Sequence, residues 1–277
     1  MAEAAWPDAS PGRRALSCGA VKGPPTNRPP AAGAAPREIS ERHVEILTAA
    51  DIGGYWWYEV RLAHVREALA PVGRAGDLRY LDFGCGTGGV LSTMVRELRP
   101  RLALGLDGTQ EAVDVAHARG LPARLADFRR PIELPFHPNG ITCLDVLEHI
   151  EDPVAALRNL AAVASPDALL VVTVPAMPSL RSRWDELAGH HRRYTRALLS
   201  VHLREGGWRV ARVKHFFSYC VPPAFVQRRV LRRVPQMEFP PVSRPVNAAL
   251  AWAGTVERRL GCPLPFGTSL VAVARRG

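Results

Sequence analysis

The segment Leu81-Asp82-Phe83-Gly84-Cys85-Gly86-Thr87-Gly88-Gly89 places a carboxylate just ahead of a glycine-rich turn. An apolar run from Leu78 to Phe83 leads into it, and Val90, Leu91, Met94, Val95 and Leu98 follow at helical spacing. The pattern is a strand end, a turn and a helix start. Glycine permits positive φ and lets a ligand approach the backbone closely. Gly84, Gly86 and Gly89 also fit the G-x-G-x-x-G dinucleotide fingerprint. Asp82 argues against that ligand, because a pyrophosphate over the turn would stand near a carboxylate at low effective dielectric. A ligand carrying an ammonium and a sulfonium would gain from the same charge. A structural aspartate in a tight turn is the simpler alternative.

Three more segments carry polar groups to strand ends. Leu102 to Asp107 reads as a strand closing on an acid, about 20 residues past the glycines, where a carboxylate can bind ribose hydroxyls. Ala123 to Ala126 runs into Asp127-Phe128, a pair that can meet an adenine by hydrogen bond and apolar contact. Ile141 to Asp145 runs into the polar tip Leu147-Glu148-His149.

Together LDFGCGTGG, GLDGTQEAV, ADF and DVLEHIEDP resemble the class I S-adenosylmethionine-dependent methyltransferases over Tyr80 to about Val174. The resemblance implies S-adenosylmethionine as cofactor. It puts Asp82, Gly84, Cys85, Gly86 and Gly88 around the methionine part, with Asp145, Val146 and Leu147 flanking it. Asp107 and Gly108 fall at the ribose, and Asp127 and Phe128 at the adenine.

Two segments read as acceptor-side. Tyr55-Trp56-Trp57-Tyr58 is followed by Arg61 one helical turn beyond Trp57. Trp57 would help cover the cofactor as a lid, and Arg61 would meet its carboxylate through a charge-assisted bond. Ordinary helix packing is the other reading of these aromatics. Pro175 to Leu180, continuing through Asp185 to His190, Arg192, Arg193 and Tyr194, follows the fifth strand at the sheet edge where ligands bind. This stretch, with Y-W-W-Y-x-x-R, resembles a bacterial small-molecule methyltransferase subgroup of glycan, lipid and secondary-metabolite pathways. Tyr55 stands where histidine is commoner in that subgroup. Methyl transfer needs collinear alignment, and a base only if the acceptor must lose a proton. His149, His190 and Tyr194 are the candidate catalytic bases. The alternative is that His190 and Tyr194 only bond their loop to itself. Arg192 and Arg193 are candidates for an acceptor phosphate or carboxylate.

Strands are expected at Leu78–Phe83, Leu102–Asp107, Ala123–Ala126, Gly140–Asp145, Ala168–Val174, Trp208–Phe216 and Thr268–Ala274. Helices are expected at Val90–Leu98, Gln110–Arg119, Pro153–Ala164 and Arg196–Glu205. The alternation predicts an α/β, Rossmann-like seven-stranded sheet, mostly parallel, with helices on both faces and an antiparallel last strand. A helical lid and an insertion complete it. The domains read as a disordered segment (1–37), a helical cap (38–75), the catalytic domain (76–217 and 263–277) and a basic helical insertion (218–262). In the insertion, Phe225 to Val234 puts Val226, Val230, Leu231 and Val234 on one helical face and four arginines on the other. It is read either as a packed helix with solvated arginines or as a peripheral anionic-membrane contact through 225–234.

The 277 residues carry a formal net charge of +10, which suits an anionic partner or merely a basic surface. No apolar run reaches the roughly 18 residues of a membrane span, and no signal-peptide core stands at the N-terminus. Five scattered cysteines without a C-x-x-C pair indicate a reducing compartment and no metal cluster. A cytoplasmic chain with peripheral membrane contact is therefore expected. The expected activity is methyl transfer, to oxygen first, on a small-molecule, glycan or lipid-linked acceptor. RNA or protein methylation and a non-catalytic cofactor-binding scaffold are the alternatives; nucleic acid is disfavoured because no binding module is recognisable.

Overall fold

The computed structural model describes residues 54–74, 76–231, 242–262 and 264–277. The expectations for 1–37, the first part of the cap, Cys18 and Arg232 to Val234 lie outside the described residues. Helix α1 (Trp56–Arg74) comes first. The chain then alternates through β1 (Arg79–Phe83), α2 (Gly89–Leu98), β2 (Leu102–Asp107), α3 (Gln110–Ala118) and β3 (Ala123–Leu125). After a long loop come β4 (Gly140–Leu144), α4 (Pro153–Val163) and β5 (Leu169–Pro175). Short α5 (Arg183–Leu187), α6 (Arg196–Glu205) and β6 (Trp208–Phe216) follow. The remainder is α7 (Val221–Phe225), a π turn at Val226–Val230, α8 (Arg244–Arg259) and β7 (Ser269–Arg276).

The seven strands pair in the order β3-β2-β1-β4-β5-β7-β6. The first five are parallel, while β7 runs antiparallel to both β5 and β6. Strand order reverses between β1 and β4, and that crevice at the carboxyl ends is where open α/β sheets bind ligands. β5 shows why the sheet is buried on both sides. Leu170, Val172 and Val174 join one core with Leu157, Leu160 and Trp208, while Leu169 and Val171 join the other with Leu62, Leu91 and Phe216. Alternate residues of a strand face opposite sides, so a strand apolar throughout needs helices on both.

Local signals set the ends. Asp152 accepts from the Ala155 N–H at 3.0 Å and Pro153 occupies the first turn of α4. Thr195 caps α6 through the Leu198 N–H at 3.1 Å. The fold is the one expected, and the helix Arg196–Glu205 and strand Trp208–Phe216 match residue for residue.

The segment after β6 differs from expectation. It holds the 16-residue α8, laid along α1. A Cβ on Gly254 would come within 2.4 Å of Val60, so glycine lets the two helices close. Asn247 accepts from the Trp56 N–H at 2.9 Å and donates to the Gly54 carbonyl at 2.7 Å. Arg228 and Arg229 of the π turn also bind backbone carbonyls, although Arg229 remains exposed. Arg228 donates to the Leu180 carbonyl at 3.1 Å and Arg229 to the Ser179 carbonyl at 2.7 Å. Phe225, Val226, Val230 and Leu231 are exposed as well.

Candidate active site

At the carboxyl end of β1 the turn is tied to its neighbours through the backbone. The N–H groups of Gly84 and Cys85 both donate to the Leu106 carbonyl at 2.8 Å. Asp107 accepts from the Gly86 N–H at 2.8 Å, and from the Thr109 N–H and hydroxyl at 3.0 and 2.8 Å. Gly84 sits at φ +80°, and a Cβ there would lie 2.2 Å from Val146 Cγ2. Gly88 sits at φ +88°, with Leu121 only 2.4 Å from its notional Cβ. The concave turn therefore exists only with glycine at these positions.

Asp82 lies beneath it, 2% exposed. Its Oδ1 accepts from the Thr142 hydroxyl at 2.7 Å, and Thr142 receives the Tyr80 hydroxyl at 2.6 Å. Thr142 is the register partner of Asp82 across β1 and β4. Burial, and next the Asp82 charge, push the Tyr80 hydroxyl's pKa up, so it stays a donor. The sequence reading missed Tyr80 and Thr142. The available signal was a threonine inside the otherwise apolar fourth strand.

Other expected cofactor residues fall as follows. The Cys85 sulfur turns away under the turn, where a Cβ on Gly105 would lie 2.7 Å from it, so only its main chain faces the cradle. Leu147 is fully buried and likewise offers only backbone. Val146 lines the turn against Gly84, and Gly108 is exposed beside Ala126. Asp127 is forked by Arg129, Nε to Oδ1 at 2.8 Å and Nη2 to Oδ2 at 3.0 Å, which holds its carboxyl below the usual range. Phe128 stacks on Phe83 at 4.0 Å. Arg61, expected to meet the cofactor carboxylate, is paired within the chain. Its Nη1 meets Asp145 Oδ2 at 2.6 Å, and its guanidinium lies 4.2 Å over Trp57, which stacks on Phe217 at 6.3 Å. Asp145 itself adopts φ +56°, a left-handed conformation that non-glycine residues take rarely.

At the sheet edge expected for the acceptor, two loops bring together residues about forty positions apart. His149, in the one-turn helix Leu147–His149 after β4, meets His190 edge-to-face at 4.7 Å between ring centres. Buried Glu148 stands with them: one ligand atom from each of the three lies within 4.8 Å of the others. His190 Nδ1 is 3.1 Å from Asp185 Oδ1, the hub of the loop. Asp185 also receives Arg193 Nε at 2.7 Å, the Ser182 N–H at 2.9 Å and Arg228 Nη1 at 3.3 Å. Burial works to raise the Asp185 pKa, but His190, Arg193, Ser182 and Arg228 outweigh it and hold the carboxyl well below the carboxylate range.

Three expectations change here. Tyr194 is fully buried and donates to the Leu147 carbonyl at 3.3 Å, and burial pushes its pKa up, which removes it from the candidate bases. Arg193 is also spent internally, on Asp185 and the Ala176 carbonyl at 2.9 Å. Arg192 binds the carbonyls of Ile150 and Glu151 at 2.8 and 2.7 Å rather than facing an acceptor. Asp185 and Glu148, missed as site residues, matter because the fold folds their loops onto each other.

Comparison with known proteins places this geometry. The profile of the family described as "Methyltransferase domain" matches residues 56–219. The chain is 33% identical over 150 residues to an uncharacterised 37.1 kDa protein of a Streptomyces fradiae transposon, covering 51% of this chain and 43% of that one. It is 32% identical over 114 residues to the ubiquinone biosynthesis O-methyltransferase of Bordetella pertussis, covering 39% and 45%. It thus spans about half the length of the curated relatives it matches. A structure of the Haloferax volcanii Trm112 methyltransferase activator in complex with a methyltransferase aligns at a TM-score of 0.57 and 18% identity, over 88% of this chain and 99% of the other. That likeness is one of fold.

Proposed function

The chain belongs to the methyltransferase domain family, and from that membership we propose that it methylates a hydroxyl of a small-molecule acceptor. The cofactor is S-adenosylmethionine, which when bound supplies an electrophilic methyl on a sulfonium. The cradle suits it: a buried carboxylate at Asp82 for positive charge, and a turn at Gly84 and Gly88 that any Cβ would fill. In this reading Asp82 and the turn hold the methionine part, Asp107 the ribose, and Asp127 with Phe128 the adenine. The Arg61–Asp145 pair and Trp57 close the side toward α1.

The observation that carries the hydroxyl reading is the imidazole pair at the sheet edge. A hydroxyl becomes an ether only by losing its proton, whereas a neutral amine attacks without prior loss. His149 and His190 stand together above β4, and an imidazole is the side chain most often used as a general base. Asp185 fixes the His190 ring through Nδ1, which orients its other nitrogen. The Bordetella relative, named for O-methyl transfer, points the same way. A lipid-linked acceptor is the finer reading, supported by the exposed apolar side chains of the π turn beside the same loop.

The test is a methyl-labelled cofactor incubated with the protein and a cell lysate, then separated into organic, aqueous small-molecule and macromolecular fractions. Label in either small-molecule fraction, lost with Asp82→Ala, is expected; organic label specifies a lipid-linked acceptor. Label in macromolecules alone would replace the acceptor assignment, and undiminished turnover by Asp82→Ala would overturn the cofactor site.

A further inference from the structure

We propose that Glu148, His149 and His190 form a binding site for a divalent cation of borderline softness, of the zinc class, at the acceptor side of the sheet. Cysteine spacing gave no hint of it, because the donors are a carboxylate and two imidazoles from loops far apart in sequence. One ligand atom from each lies within 4.8 Å of the other two. A tetrahedral ion with bonds of about 2.0–2.1 Å holds its ligand atoms about 3.4 Å apart, so modest side-chain rotations bring the three into place.

Three features favour a cation over a chance cluster. Glu148 is fully buried and the two rings are partly so, which limits competition from water at the donors. His190 gives its Nδ1 to a carboxylate, the arrangement that fixes the tautomer and raises the basicity of a metal-bound imidazole. That carboxylate is locked in turn by Arg193, Arg228 and the Ser182 N–H, so the second layer is rigid before any ion arrives. Arg193 on this loop is held by Asp185 and the Ala176 carbonyl.

The donor set of two nitrogens and one oxygen selects zinc-like ions over magnesium or calcium, which prefer all-oxygen shells. Three protein ligands leave a fourth position open, as in catalytic rather than structural sites. An acceptor oxygen bound there would be acidified. On methylation the O–C bond forms, the C–S bond electrons return to sulfur, and the hydroxyl proton leaves to water. His149 and His190 then act as ligands, and in the cation-free protein as proton acceptors.

Binding is read without any acceptor. Tag-free full-length protein, stripped with a chelator, is titrated with Co2+ and followed by its visible absorption, then with Zn2+ in equilibrium dialysis. One ion per chain is expected, with the intense absorption of a four-coordinate Co2+ site. His149→Ala and His190→Ala should each weaken it at least about tenfold, and Asp185→Asn by about 10–100-fold. Cofactor affinity, measured in parallel, reports on folding and is expected to stay within about twofold in the histidine variants. Absence of protein-dependent absorption in a molar excess of Co2+, or binding by both histidine variants as tight as that of the parent protein, would overturn the site. Loss of cofactor binding in the parent protein would instead count against the methyltransferase reading.

Discussion

A single methyl group tests the cradle at the scale of the residue. Gly84 holds φ +80° with Val146 pressed where a side chain would be. Gly84→Ala therefore costs both backbone strain and a clash, about 1–3 kcal/mol of stability. Its cofactor affinity should fall by at least about tenfold, because relief requires Val146 to move and the turn to open. Calorimetric titration with S-adenosylmethionine checks this, and an unchanged Kd would mean the turn does not face the ligand. Thr142→Val removes the hydroxyl that donates to Asp82 while keeping shape. The carboxylate stays buried with one donor fewer, so stability should fall by about 1–3 kcal/mol in denaturant unfolding. The cradle was legible from sequence because its signal is local: an acid, glycines and a helix in one run. Thr142 was not, since only strand pairing puts it opposite Asp82.

Elements are joined by polar groups that the helical pattern does not announce. Glu257 on α8 is buried and accepts from the Phe217 and Ser218 N–H groups at 2.7 and 2.8 Å, where the chain leaves β6 at φ +60°. Glu257→Ala would strand two buried donors, so a loss of about 2–4 kcal/mol is expected in thermal unfolding. Glu257→Gln, which keeps one acceptor oxygen, should lose less. His64 on α1 gives the same contact a pH dependence. Its ring packs edge-on against Phe216 at 5.0 Å, and burial lowers its pKa to about 4; Glu67 opposes the shift, while the positive charges of Arg258, Arg212 and Lys214 add to it. An unfolded chain takes up this proton near pH 6.5, whereas the folded chain resists until about 4. The His64 contribution is therefore full above pH 6.5 and falls as pH drops through that window, by roughly 3 kcal/mol. His64→Leu should flatten the acid limb of a stability profile between pH 6.5 and 4; an unchanged slope would assign the limb to other groups. Strands and helices of the sheet were readable from their periodicity, while α8 was not. It follows a proline-rich stretch at which the sequence reading stopped, and it is the contact with α1 that covers its buried face.

For the whole molecule, the edge proposed for the acceptor is assembled from parts that sequence order keeps apart. α1 supplies Arg61 to Asp145 after β4, the loop after β5 supplies His190 and Asp185, and the π turn clamps that loop through Arg228 and Arg229. Among the described residues no helix is long and apolar enough to cross a membrane. The net charge of +10 thus has an internal use in part, since several arginines bind carbonyls and carboxylates of this edge. An arginine that joins two segments of chain affects what the loop between them can hold, while leaving the distant turn at Gly84 alone. Arg228→Ala with Arg229→Ala should therefore raise the acceptor KM several-fold, about 1 kcal/mol of binding, with the cofactor Kd unchanged. The released segment should also become a site of limited proteolysis near Val226–Val230, because its side chains are otherwise exposed. Equal loss of cofactor and acceptor affinity would mean that the clamp supports the sheet as a whole. Unchanged kinetics with faster cleavage would make it a fastening only, and would move acceptor recognition to the loop's own residues around His190.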